Sequence, residues 1–136
     1  MKRKLLLDTD VVLRYLLHDH DEMTTASIRL FRSAEMGEFE LFLDPIVVAE
    51  CCNVLRGSIY KFEKERIAHV LTQLILLDGV VTEDPMRITE ALSIYAEKNV
   101  DFTDAYLAMG HRDLYAGIAS FDQDFQRLGV AVHVPT

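Results

Sequence analysis

Three short apolar runs in this chain each end on an aspartate: Leu5-Leu6-Leu7-Asp8, Leu41-Phe42-Leu43-Asp44 and Gly117-Ile118-Ala119-Ser120-Phe121-Asp122. Each run is too compact for a helix, and its continuous apolar character fits a strand covered on both faces. The stretches between them have helical spacing. Val11, Val12, Tyr15 and Leu16 follow the first run, and residues 21–36 set Met23, Ala26, Leu30, Phe31 and Ala34 on one face ahead of Gly37. Asp44-Pro45 opens a third helix, with Asp as cap and Pro in the first turn, which ends near Gly57. Residues 62–76 and the stretch after Asp84-Pro85 read as two more helices, with Val80-Val81 as a candidate extended segment between them. A further helix runs from Thr103 to Leu114, and Val130 to Val134 is a last strand. The order β-α-α-β-α-α-α-α-β-α-β predicts a central parallel sheet with helices on both faces, an α/β/α sandwich.

A length of 136 residues with 50% apolar side chains suits one domain, 1–136. The basic start Lys2-Arg3-Lys4 is followed by three leucines before Asp8 ends the run, which is too little for an export signal. No stretch approaches the ~20 apolar residues that span a bilayer, so no membrane role and a cytoplasmic location are expected. Cys51 and Cys52 are adjacent on a helix and point apart, which suits neither a disulfide nor a zinc site.

Asp8, Asp44 and Asp122 fall where parallel strands end, the place where open sheets bind ligands. Each is also positioned to cap the next helix, and Pro45 makes that the better reading of Asp44. Thr9 or Asp10 is available to cap the helix after Asp8, which favours a functional role for Asp8; Asp122 leaves both readings open. Glu50 shares its helix face with Ile46, Val47, Asn53 and Val54. A carboxylate on so apolar a face needs a metal, a salt bridge with Arg14 as a candidate partner, or a rim position in water. Asp101 and Asp104 lie three apart at a helix start; capping explains one, and Asp104 sits above the apolar pair Leu107 and Ala108.

Asp8, Glu50, Asp104 and Asp122 thus sit at the same end of four successive elements. Such acids repel one another, and the chemistry carboxylates alone support is binding of Mg²⁺ or Mn²⁺, hard ions that keep waters and accept phosphate oxygens. The net charge of −8 argues against passive binding to nucleic acid but not against a nuclease whose metals supply the positive charge. Phosphate-binding glycine loops, a nucleophile elbow and zinc-protease motifs are missing from the sequence. The five histidines are scattered; His18, His20, His69 and His111 read as surface or satisfied residues.

The pattern resembles the PIN-domain nucleases, and among them the VapC-like toxins of toxin–antitoxin pairs, across nearly the whole chain. Leu6 to Leu16, with Asp8 followed by Thr9, is similar to the family's opening motif. Val47-Val48-Ala49-Glu50 resembles the second. In Asp101-Phe102-Thr103-Asp104 the second acid matches the main acid of the third motif and Asp101 an accessory ligand, and Ser120-Phe121-Asp122 resembles the fourth. The resemblance implies Mg²⁺-dependent hydrolysis of RNA, with Mn²⁺ able to substitute, by Asp8, Glu50, Asp104 and Asp122. It also implies control by a VapB-like antitoxin, and frequent homodimers. Asp10 departs from the family's usual Asn or Ser. Asp8-Thr9-Asp10 also resembles the nucleophile motif of haloacid-dehalogenase-like phosphatases, with Lys98, Asp101 and Asp104 as the remaining parts. Glu50 and Asp122 would then be idle. A third reading, an inactive domain kept for protein binding, sits badly with four retained acids.

Overall fold

The run that ends at Asp8 forms β1 (Arg3–Leu6), and the following residues form α1 (Thr9–Leu17) and α2 (Asp21–Glu35). A computed structural model describes residues 2–110 and 114–136. Their contacts group into two compact units, Met1–Pro85 and Met86–Thr136.

In the first unit β2 (Phe39–Phe42) lies between β1 and β3 (Val80–Val81), and both pairings are parallel. Leu5 stands opposite Leu41, and Leu41 opposite Val80, so the fully buried Leu41 is at the middle of the sheet. Asp44 caps α3 (Pro45–Arg56) by accepting from the Ile46 N–H at 2.9 Å, and Gly57 ends that helix, as its sequence predicts. α4 (Lys64–Ile75) packs on α3 and β3, and α1 packs on both α2 and α3. Val12, Val48, Leu55, Ile67, Leu71 and Leu74 make up much of the buried interior.

α2 buries Phe31 and Ala34 of its predicted face but departs from it in the first half. Its buried stripe is Thr24, Ser27, Phe31 and Ala34, while Met23 and Ala26 are exposed. Thr24 fits here because its hydroxyl donates to the Arg14 carbonyl at 3.3 Å, and Phe31 packs against Tyr15 in a tilted pair with ring centroids 4.2 Å apart. His18 closes α1 in the left-handed conformation, and the His20 ring accepts from the Met23 N–H at 3.1 Å to cap α2, so both histidines are structural. Cys51 and Cys52 are free and buried, and burial pushes both thiols up to about 12. They are inert at neutral pH.

Gly79 enters β3 with φ +90°, and a Cβ there would lie 2.6 Å from the Ala34 carbonyl oxygen. Gly79→Ala combines a left-handed alanine with overpacking against backbone that cannot move aside. It is expected to cost about 3 kcal/mol or more of stability, read as a lower urea midpoint at unchanged m-value.

The second unit holds all but the first residue of α5 (Pro85–Lys98), with α6 (Phe102–Gly110), the parallel pair β4 (Ile118–Ala119) and β5 (Val132–His133), and a 3-10 helix, Gln123–Leu128, between them. Ala108, Phe125 and Val130 form its core, with Met109, Ile118, Leu128 and Val132 packed around them. Arg87 reaches from α5 across α6: its Nε and Nη2 donate to the Tyr106 carbonyl at 3.0 and 2.8 Å, and its guanidinium lies 3.6 Å from the Tyr106 ring centroid. That contact requires Gly110, where any Cβ would overlap the guanidinium. The helix predicted to reach Leu114 is helical to Gly110, and Leu114 lies in a turn; residues 111–113, with His111, lie outside the described residues.

Candidate metal centre

Asp8 caps α1. Its Oδ1 accepts from the Thr9 N–H at 2.8 Å, so the cap expected from Thr9 or Asp10 is supplied by Asp8 itself. The reason is local: the extended backbone at Asp8 aims its short side chain at the first free amide, while Thr9 and Asp10 are already helical. The carboxylate remains exposed, and among the described residues its Oδ2 accepts no hydrogen bond from the protein. Asp10 is exposed on the first turn.

Glu50 lies in α3 on a face more open than its sequence predicts. Ile46 is 66% and Val54 39% exposed, leaving Val47 as the buried apolar neighbour, and Glu50 is itself exposed. It needs no buried ion pair, and Arg14 does not provide one. Arg14 instead donates to both oxygens of Asp19, at 2.6 and 2.8 Å, and the Tyr60 hydroxyl donates to the same carboxylate at 2.8 Å. Those hydrogen bonds hold Asp19 below the ordinary aspartate range and raise Arg14. Glu50 Oε2 accepts from the Thr9 hydroxyl at 2.8 Å, a bond that joins the first and second motifs. Sequence reasoning treats Thr9 as a spare cap; its position beside Asp8 is the one available signal.

In the second unit, Asp104 stands in the first turn of α6 and is partly buried. Its carboxyl is raised above the ordinary aspartate range, first by burial and then by the charges of Asp101, Asp122 and Asp124. Asp122 caps the 3-10 helix through the Asp124 N–H at 2.9 Å and donates its own N–H to the Ser120 hydroxyl at 2.9 Å. The open choice between cap and functional acid therefore has a structural half: Asp122 caps, and its charge also acts on Asp104. Asp124, which sequence reasoning passes over, belongs to the same group because the tight 3-10 turn brings it back beside Asp122; Arg127 Nε lies 3.8 Å from it.

Among the described residues, no three His, Cys, Asp or Glu side chains are gathered closely enough to hold a metal ion. The donor chemistry nevertheless fits a hard divalent cation. The acids are carboxylates throughout, and Asp104 is under like-charge pressure that a cation would relieve.

A family model for the PIN domain matches residues 5–131, spanning both units. The chain belongs to the PIN domain family. PIN domains are in general metal-dependent nucleases with the α/β/α architecture that the strand and helix order predicts, and they act on nucleic acid. The match thus favours the nuclease over the phosphatase reading of Asp8-Thr9-Asp10. No curated protein and no solved structure shows significant similarity to the chain. Among the described residues, no helix is long and apolar enough to cross a membrane.

Proposed function

We propose that this PIN domain is a Mg²⁺-dependent ribonuclease, with Mn²⁺ able to substitute, and the toxin of a toxin–antitoxin pair. The observation that carries the metal-centre reading is the carboxyl of Asp104, raised by burial and then by the charges of Asp101, Asp122 and Asp124, a group of acids whose mutual repulsion has a use when a cation is bound. Asp8, Glu50, Asp104 and Asp122 are the proposed catalytic carboxylates, with Asp101 as an accessory ligand. A bound Mg²⁺ supplies positive charge against the scissile phosphate and makes water easier to deprotonate. Asp8 and Glu50 each keep one oxygen tied inside the protein, which limits how far the other can swing. Asp104, whose carboxyl is raised by burial and by the neighbouring acids, gains most from a cation beside it.

The experiment is cleavage of a mixed RNA pool by the purified protein with Mg²⁺, with EDTA, and by Asp8→Asn in Mg²⁺. Fragments in the first condition alone support the reading. Equal cleavage in all three conditions overturns it, as does cleavage of DNA with RNA left intact.

The partner follows from α1. Val12 is fully buried and unavailable to a partner, whereas Tyr15 and Leu16 sit between two clefts. One, of about 330 Å³, is shared with Val70 and Leu74 of α4; the other, of about 350 Å³, is shared with Ile28 and Arg32 of α2. Together with the charge of −8 they suit an amphipathic, basic antitoxin segment of the VapB type, and the toxin is proposed to act as a homodimer in the cytoplasm.

A further inference from the structure

Thr9 spends both of its donors on the two candidate acids of the first unit. Its backbone N–H holds Asp8 Oδ1 and its hydroxyl holds Glu50 Oε2, each at 2.8 Å. We infer that Thr9 is the positioning residue of the Asp8 and Glu50 carboxylates, fixing which oxygen of each remains for a ligand; the inference rests on the metal-nuclease reading above.

Three features support it. Thr9 is only 9% exposed while both carboxylates are exposed, so the donor is anchored in the interior and the acceptors are what it restrains. Thr9 is the first residue of α1, where no preceding helical turn offers a carbonyl. Its hydroxyl therefore has no back-bond within the helix to make, and it is directed instead to a residue 41 positions away. The bond is anchored at both ends by secondary structure, because α1 packs on α3, the helix that carries Glu50. A long glutamate on an exposed face otherwise samples several rotamers, and a ligand that sits loosely binds metal weakly.

The test compares Thr9→Ser with Thr9→Ala. Both lose the methyl group, and they differ in the hydroxyl alone. Mn²⁺ binding is followed by calorimetric titration of the metal-free proteins, beside RNA cleavage across Mn²⁺ concentrations and thermal melting. Thr9→Ala is expected to weaken Mn²⁺ binding by about 10- to 100-fold, as loss of an outer hydrogen bond to a ligand does, and to shift the Mn²⁺ requirement for cleavage by the same factor. Thr9→Ser is expected to stay within about threefold of wild type on that scale. Should alanine leave a void that unfolds the protein, Thr9→Val keeps the volume without the hydroxyl and is expected to behave as Thr9→Ala. Equal Mn²⁺ affinity in the serine variant and a folded alanine or valine variant, with Asp8→Asn weakened, overturns the role of Thr9 and leaves the nuclease reading standing. Wild-type protein that neither binds Mn²⁺ nor cleaves RNA overturns both.

Discussion

Asp104→Asn is expected to abolish metal-dependent cleavage while making the metal-free protein more stable. The two effects share one cause. Burial and the charges of Asp101, Asp122 and Asp124 raise the Asp104 carboxyl, so the folded protein holds this proton more tightly than the unfolded chain does. Where the folded state binds more protons, stability falls with rising pH. The contribution of Asp104 is therefore most favourable at pH below the ordinary aspartate value and is lost as pH rises through its raised folded value. At neutral pH the charged form is a net cost, which asparagine removes. Thermal melting without metal should show a higher Tm for Asp104→Asn near pH 7 and a smaller decline in Tm as pH rises through the acidic range. Mg²⁺ should raise the wild-type Tm with concentration and leave the variant nearly unmoved, because a ligand stabilises only the state that binds it. The loss of cleavage should be about 100-fold or more, the size expected when several kcal/mol of electrostatic stabilisation disappears. An Asp104→Asn enzyme with wild-type turnover would remove Asp104 from the metal centre.

Asp8 separates folding from chemistry in a different way, because it has a structural task in addition to its proposed catalytic one. As the cap of α1 it holds the Thr9 amide, and asparagine performs that task almost as well as aspartate. Asp8→Asn should therefore melt close to wild type, within about half a kcal/mol from the lost charge at the helix start. Asp8→Ala removes the cap itself and should lose about 1 kcal/mol. Both variants should lose cleavage by about 100-fold or more, since neither supplies a charged oxygen. The decisive comparison is between columns of one experiment: stability should distinguish Asn from Ala, and activity should not. Activity that tracked stability across the pair would mean that Asp8 serves the helix and nothing more.

Much of the architecture is legible in the residues alone because its determinants are local. Asp44-Pro45 specifies a helix start by the geometry of one side chain and one fixed φ, and Gly57 stops the same helix. Runs such as Leu41-Phe42-Leu43 cannot be satisfied except between two covered faces, which commits the chain to parallel strands. The order of the acids along the chain is local information too, and it carries the family. Long-range contacts decided the rest. Whether Arg14 meets Glu50 or Asp19 depends on where the chain turns after α1, and the turn at His18 brings Asp19, with Tyr60 from beyond α3, to the guanidinium. The buried stripe of α2 includes Thr24, whose hydroxyl donates to the neighbouring Arg14 carbonyl, a contact that no hydropathy pattern records. Thr9 holds Glu50 across 41 positions, and Asp124 bears on Asp104 through a 3-10 turn. Apolar periodicity registers burial and spacing along one element. Which polar atoms meet between elements is set by packing, and it was on that level that the partners of Glu50 and Asp104 were chosen.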